Sequence, residues 1–200
     1  MWVFTGYRWD MQREFRYDIE ILHLLVSDAH AYFGRAREGA AKVVTNDVDW
    51  AEVIASKGIV GDRFFGKAAH MDAAVTLFAI ESLEAIAAEL GVGPFDPLLP
   101  RRNVVLRGAE LVPLIGHDFV IEFESGSVGF HGGRHAQPCV WMDKMLAPGA
   151  HKLMRGRGGL RCQPLSSGIL HRGPAVLLSP VVLDPTQAHR PSLLNPARLP

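Results

Sequence analysis

The sequence predicts a mainly β protein, an irregular closed β-barrel with a few flanking α-helices. Short apolar or alternating runs recur along the chain, separated by glycine- and proline-bearing turns. Only two or three stretches show helical spacing. The strand-like runs do not alternate with full-length helices, as a doubly wound sheet would require. Two hundred residues, 48% of them hydrophobic, suit one domain with a sizeable core. We divide the chain into an N-terminal extension (1–18), the domain (19–179) and a proline-rich C-terminal tail (180–200).

Taken in order, residues 19–26 (IEILHLLV) form an apolar run of strand length. It leads into SDAHAYFGR, a loop whose His30, Tyr32 and Phe33 line a pocket or pack over a barrel end. Residues 43–54 alternate weakly, as strand or loop plus strand. In GIVGDRFFG, Asp62 and Arg63 are either a local turn ion pair or a buried pair that fixes loop geometry. Residues 73–79 read as strand, and 80–90 as the clearest helix, with Ile80, Leu83, Ile86, Ala87 and Leu90 on one face and Gly91 as its stop. Arg101, Arg102 and Asn103 then enter a strand at 104–106, as a bidentate anion clamp or as a solvated charge pair at a sheet edge. Residues 111–115 are a short apolar piece. Residues 118–124 alternate and pair with 127–130 through Ser125 and Gly126. The last strands fall at 160–165 and 175–178, and there are no internal repeats. The tail holds five prolines from 180 onward and no periodic face, so it reads as irregular and dispensable for the core.

Lysine plus arginine balance aspartate plus glutamate, 21 against 21, so no global field recruits nucleic acid or an anionic membrane. The first residues are charged throughout, unlike a signal peptide. The longest apolar run falls far short of a membrane span. Two cysteines cannot make a disulfide framework, and a reduced, cytoplasmic setting is expected.

Chemistry concentrates in residues 129–162, which carry both cysteines and three of the nine histidines. Pro138 suits the first position of a helix, and Trp141, Met142, Met145 and Leu146 follow at helical spacing. Cys139 would then lie in the first turn, where unpaired N–H groups favour a thiolate able to attack electrophiles or bind a soft metal. Arg134 and His135 would add to that effect. A buried structural cysteine is the alternative. In RGRGGLR, adjacent glycines and three arginines make either a phosphate nest or a basic helix C-terminus. His131, His135, Cys139 and Asp143 fall at intervals of four, but Gly132, Gly133 and Pro138 break the helix that a zinc stripe would need.

These pieces, in this order, resemble the MOSC domain: HAYFGR, GIVGDRFFG, AVTLFAIESLEAI, RRNVVLRG, LVPLIG, QPCVWMDKMLAPGA and GRGGLRCQPLSSG. The likeness covers roughly residues 20–178 and is nearest to stand-alone bacterial members. It implies a β-barrel of the MOSC type and a site for the molybdenum cofactor, a pterin carrying phosphate; the sequence shows no haem, flavin or iron–sulfur motif, so none of these groups is expected. It makes Cys139 a metal ligand or a persulfide carrier. Arg102, Asn103, Arg157, Gly158 and Gly159 become candidates to hold the phosphate, while His30, Asp62 and Arg63 become pocket residues. Many relatives carry a second cysteine three residues earlier, where this chain has Ala136. Cys162 reads as core. The implied activity is reduction of N-hydroxylated or N-oxidised small molecules with external electron-donor proteins. A persulfide carrier fed by a sulfur donor and a non-catalytic cofactor carrier are the alternatives. Monomer and dimer both remain open.

Overall fold

The computed structural model describes residues 15–192. Eleven strands and three short-to-medium helices follow one another as β1 (Phe15–Val26), β2 (Asn46–Asp47), β3 (Trp50–Ile54), β4 (Gly58–Ile59), β5 (Val75–Ala79), α1 (Ile80–Leu90), β6 (Val104–Arg107), β7 (Asp118–Phe123), β8 (Gly126–His135), α2 (Trp141–Met145), α3 (Ala150–Leu153), β9 (Leu160–Pro164), β10 (Gly168–His171) and β11 (Gly173–Ser179). Seven of them close a barrel in the order β1–β11–β7–β8–β9–β5–β6, with β6 returning to β1. β2 extends β1, and β10–β3–β4 form a small separate sheet. The expected irregular barrel is therefore the fold. Its ladders are antiparallel except β5–β6, where α1 supplies the crossover that parallel strands need.

Side-chain alternation explains two cores. On β5, Val75, Leu77 and Ala79 point into the barrel with Val104 and Leu106 of β6, beside Phe119 and Phe130. Phe78 and Val105 point outward. There they are covered by Ile80, Leu83 and Ile86 of α1, by Trp141 and Met142 of α2, and by Met154. β5 is buried on both faces, and for that reason it reads as a continuous apolar run.

Several expectations need correction. β1 begins at Phe15, pairing with Ser179, so residues 15–18 belong to the barrel seam; residues 1–14 lie outside the described chain. Alternate residues of β1 stay exposed here, which is why its polar start resembled an extension. β8 runs through a bulge to His135, well past the expected Phe130. From 180 to 192 the tail is irregular but packed; residues 193–200 lie outside the described chain. Leu183 and Ala188 are buried in the barrel core cluster, and the Leu183 amide donates to the Tyr17 hydroxyl at 2.6 Å. Isolated apolar residues and backbone groups make these contacts, and neither leaves a periodic signal.

Candidate functional site

The loop after β1, the turn after β4, the start of β5, the entrance of β6 and the segment between β8 and α2 meet beside β9. They enclose a cleft of about 170 Å³ lined by His30, Tyr32, Arg63, Phe64, Thr76, Pro100, Arg101, Arg102, Gln137, Cys139, Met142 and Arg161. Its floor is a closed hydrogen-bond network. Asn103, fully buried, accepts from the Thr76 amide at 3.1 Å and hydroxyl at 2.9 Å. Its amide donates to the Leu25 carbonyl and to Asp62 at 3.0 Å. Asp62 also pairs with Arg63 at 3.2 Å and accepts from the Phe64 amide.

Four guanidinium groups stand on this floor. Arg101 donates to Thr45, Ser27 and the Ala29 carbonyl, and its backbone takes a left-handed φ of 55°, strain that this set of bonds holds in place. Arg63 lies 4.9 Å over the Phe64 ring and donates to the Arg101 carbonyl. Its side chain is 7% exposed, and its buried Nε has no acceptor. Arg102 gives Nε to the Gly158 carbonyl at 2.8 Å and Nη2 to that of Ala136 at 3.2 Å. Arg161 makes no side-chain hydrogen bond among the described residues. Burial acts on all of them, and repulsion by neighbouring cleft arginines acts on Arg63 and Arg102. Desolvation first, then Arg161, pulls Arg102 down to about 10, while Cys139 acts in the opposite sense. Burial also lowers Arg63, Arg101 and Arg161. His30, edge-on to Phe64 at 5.1 Å, is held below the usual histidine value by burial, then by Arg63 and Arg101. Concentrated, desolvated cations with an unused donor suit an anion.

Cys139 is exposed and free, at the edge of this cleft, whereas Cys162 is buried and its thiol is pushed well up by desolvation. The expected helix start is displaced. α2 begins at Trp141 with Val140 as its cap, and Cys139 precedes it, its carbonyl accepting from the Met142 amide at 3.0 Å. Pro138 fits the extended approach as well as a first turn, because both share its φ. Cys139 therefore faces arginines rather than a helix terminus. Nor do the expected neighbours assist it: Arg134 pairs with Asp72 at 2.9 Å, and His135 is buried at the end of β8. The regularly spaced zinc candidates are dispersed: His131 pairs with Asp118, and Asp143 caps α3 through the Gly149 and His151 amides. No group of three or more His, Cys, Asp or Glu is placed to hold a metal among the described residues.

His30, Arg63, Arg102 and Cys139 thus come together, with Asp62 beneath them. Asn103 does not face a ligand, since its amide is consumed by the floor. Arg157 is elsewhere. It is buried against the tail and α1, donating to the Leu153 and His189 carbonyls and pairing with Glu89 at 2.7 Å. Gly158 and Gly159 are spacers, not a nest. A Cβ on either would lie 2.3 Å from a carbonyl oxygen, of Ala136 and Leu77 respectively. Arg161 was missed as a cleft residue, although strand alternation could have found it. Leu160 and Cys162 face the core, so Arg161 faces the other way, opposite Thr76 in register.

The sequence profile of the MOSC domain matches residues 57–176. The chain belongs to the MOSC domain family. Among solved structures, this MOSC domain resembles the YuaD protein of Bacillus subtilis, at 19% identity and a TM-score of 0.65 over 84% of this chain and 98% of that one. It also resembles YiiM of Geobacillus stearothermophilus, at 18% identity and a TM-score of 0.55 over 80% of this chain and 74% of that one. At these identities the likeness is one of fold. No curated protein matches the chain. No helix among the described residues is long and apolar enough to cross a membrane.

Proposed function

We propose that this MOSC domain holds the molybdenum cofactor with Cys139 as thiolate ligand and the cleft arginines on its phosphate, and that it reduces N-hydroxylated or N-oxidised small molecules. The observation that carries the reading is the juxtaposition of the exposed thiol with four guanidinium groups, one of them retaining a buried donor without an acceptor. A soft sulfur ligand beside an anion clamp fits the donor set that such a cofactor needs. When bound, the cofactor supplies the two-electron redox centre. Arg102 and Arg161 would neutralise anionic oxygens, and the buried Arg63 guanidinium would add positive charge behind them. Asp62 and Asn103 fix the base of this clamp, so little reorganisation is needed on binding. His30, held below the usual histidine value by burial and by Arg63 and Arg101, presents a ring N–H at the same cleft that can hydrogen-bond the substrate's oxygen, while the protons that leave with it come from solvent. Conversion of N–OH to N–H takes up an electron pair and protons and releases water, with external electron-donor proteins as the source of electrons. A reduced, cytoplasmic setting agrees with a free exposed thiol.

A second reading, persulfide carriage by Cys139, is favoured by its exposure, which lets a partner's sulfur reach it. Purification from a cofactor-competent host, followed by metal, pterin and sulfane-sulfur analysis, separates the two. We expect stoichiometric molybdenum, reduction of an amidoxime with an artificial electron donor, and loss of both in Cys139→Ser. Metal-free protein that accumulates persulfide on Cys139 would replace the reductase by the carrier.

A further inference from the structure

We infer that the C-terminal segment 183–192 is a strap that sets the anion affinity of the cleft by fixing Arg102 through the turn at 155–159, with Arg157 as the positioning residue. The inference rests on the cleft being an anion site. A continuous series of contacts links the two. The strap is seated by Leu183 and Ala188 in the core and by the Ser82 hydroxyl, which donates to the Ala188 carbonyl at 2.8 Å. From there it reaches the turn twice: Arg157 donates to the His189 carbonyl at 3.0 Å, and the Ser192 amide donates to the Gly156 carbonyl at 2.9 Å. The fit is close, since a Cβ on Gly156 would lie 2.5 Å from the Ser192 oxygen.

The next residue of the turn, Gly158, presents its carbonyl to Arg102 Nε at 2.8 Å. The second carbonyl that holds Arg102 belongs to Ala136, whose oxygen would be 2.3 Å from a Cβ on Gly158. The Gly159 carbonyl in turn accepts from the Ala136 amide at 2.8 Å. The two shorter anchors of the guanidinium therefore move with the turn, and strap and α1 together immobilise the turn through Arg157. A half-buried arginine pulled down by desolvation gains most from having its fork pre-set, because rotamer entropy is then not lost when the anion arrives. Arg157 thus serves the cleft without touching its ligand.

The test titrates inorganic phosphate against full-length protein in a double-mutant cycle. Ala188→Asp places a carboxylate in the core seat and should release the strap, seen as faster hydrogen exchange over 184–192. We expect it to weaken phosphate binding about fivefold to tenfold, the range of one charge-assisted bond weakened but not lost. In an Arg102→Ala background the same change should alter affinity less than about twofold, because the strap acts through that side chain. Ser82→Ala, a milder release, should show the same pattern at smaller amplitude, and it decides the matter if Ala188→Asp does not fold. Equal losses in both backgrounds, or undiminished affinity with the strap released, overturn the strap. Phosphate binding indifferent to Arg102→Ala overturns the cleft reading itself, and the strap with it.

Discussion

Two arginine-rich motifs, RRN at 101–103 and RGRGGLR at 155–161, carry the same chemical signature in the sequence and meet opposite fates in the fold. In the first, Arg102 is anchored through Nε and Nη2 by the Gly158 and Ala136 carbonyls, with that of Gln137 at 3.5 Å, and no acceptor among the described residues engages its Nη1. In the second, Arg157 is 3% exposed and spends its fork on two backbone carbonyls and Glu89. A guanidinium always brings five donors. Whether any are left for a ligand depends on acceptors that the fold supplies from distant parts of the chain. Arginine beside glycine is thus a statement about donors only. A binding site is one where the protein's own oxygens fall short.

This contrast can be broken most directly by Arg157→Ala. The substitution strips partners from two carbonyls and removes a buried stem, so it should cost about 2–4 kcal/mol in denaturant unfolding. A near-neutral value would mean that the guanidinium is not a staple. Arg102→Ala should show the reverse balance. Phosphate or cofactor retention should fall roughly tenfold or more while stability changes by less than about 1 kcal/mol; equal loss of stability in the two variants would erase the distinction. The cysteines sharpen it on the same terms of availability. Cys139 should alkylate at once in native, cofactor-free protein, and Cys162 roughly a hundredfold more slowly or less, through unfolding. Mass spectrometry with timed quenching would show this, and comparable rates would contradict the burial of Cys162.

Smaller effects should appear in the pH dependence of stability. Burial raises the Cys162 thiol, so the folded chain keeps a proton that the unfolded chain loses. Stability should decline as pH climbs past the ordinary thiol range, and Cys162→Ala should flatten that decline. Arg157 holds Glu89 below the usual carboxylate range, chiefly by a hydrogen bond. That contribution is present above the unfolded glutamate value and is lost as pH falls through the folded one. Because Glu89 is largely exposed, Glu89→Gln should shift the acid melting curve only slightly.

The barrel was legible because strands advertise themselves locally. Alternation on β7, the uniform apolar run of β5, and the one-sided face of α1 ending at Gly91 all report burial through side chains. α1 spans the residues its periodicity indicates, Ile80–Leu90. Contacts made by backbone oxygens were not legible. The acceptors that occupy Arg157 sit at Leu153 and His189, and those that aim Arg102 sit at Ala136 and Gly158. None of these residue types signals an acceptor. The closure of Asn103 over Thr76 and Asp62 is hidden by separation along the chain, 27 and 41 residues, so its amide at a strand entrance resembles a ligand donor. Arg161 was within reach, but the glycines beside it drew attention to the turn instead of to the strand.

The seam between β1 and β11 has a consequence for how the molecule is made. Phe15 pairs with Ser179, so the barrel cannot seal until β11 has left the ribosome. Until then β1 and β7 both present an unpaired flank, the kind of surface that recruits strands from neighbouring chains. Synthesis slowed before Gly173, or a chain terminated there, would leave a well-formed β5–α1–β6 unit attached to two adhesive edges. Chaperone demand should therefore peak before β11 emerges and fall once that strand pairs with β1 and β7.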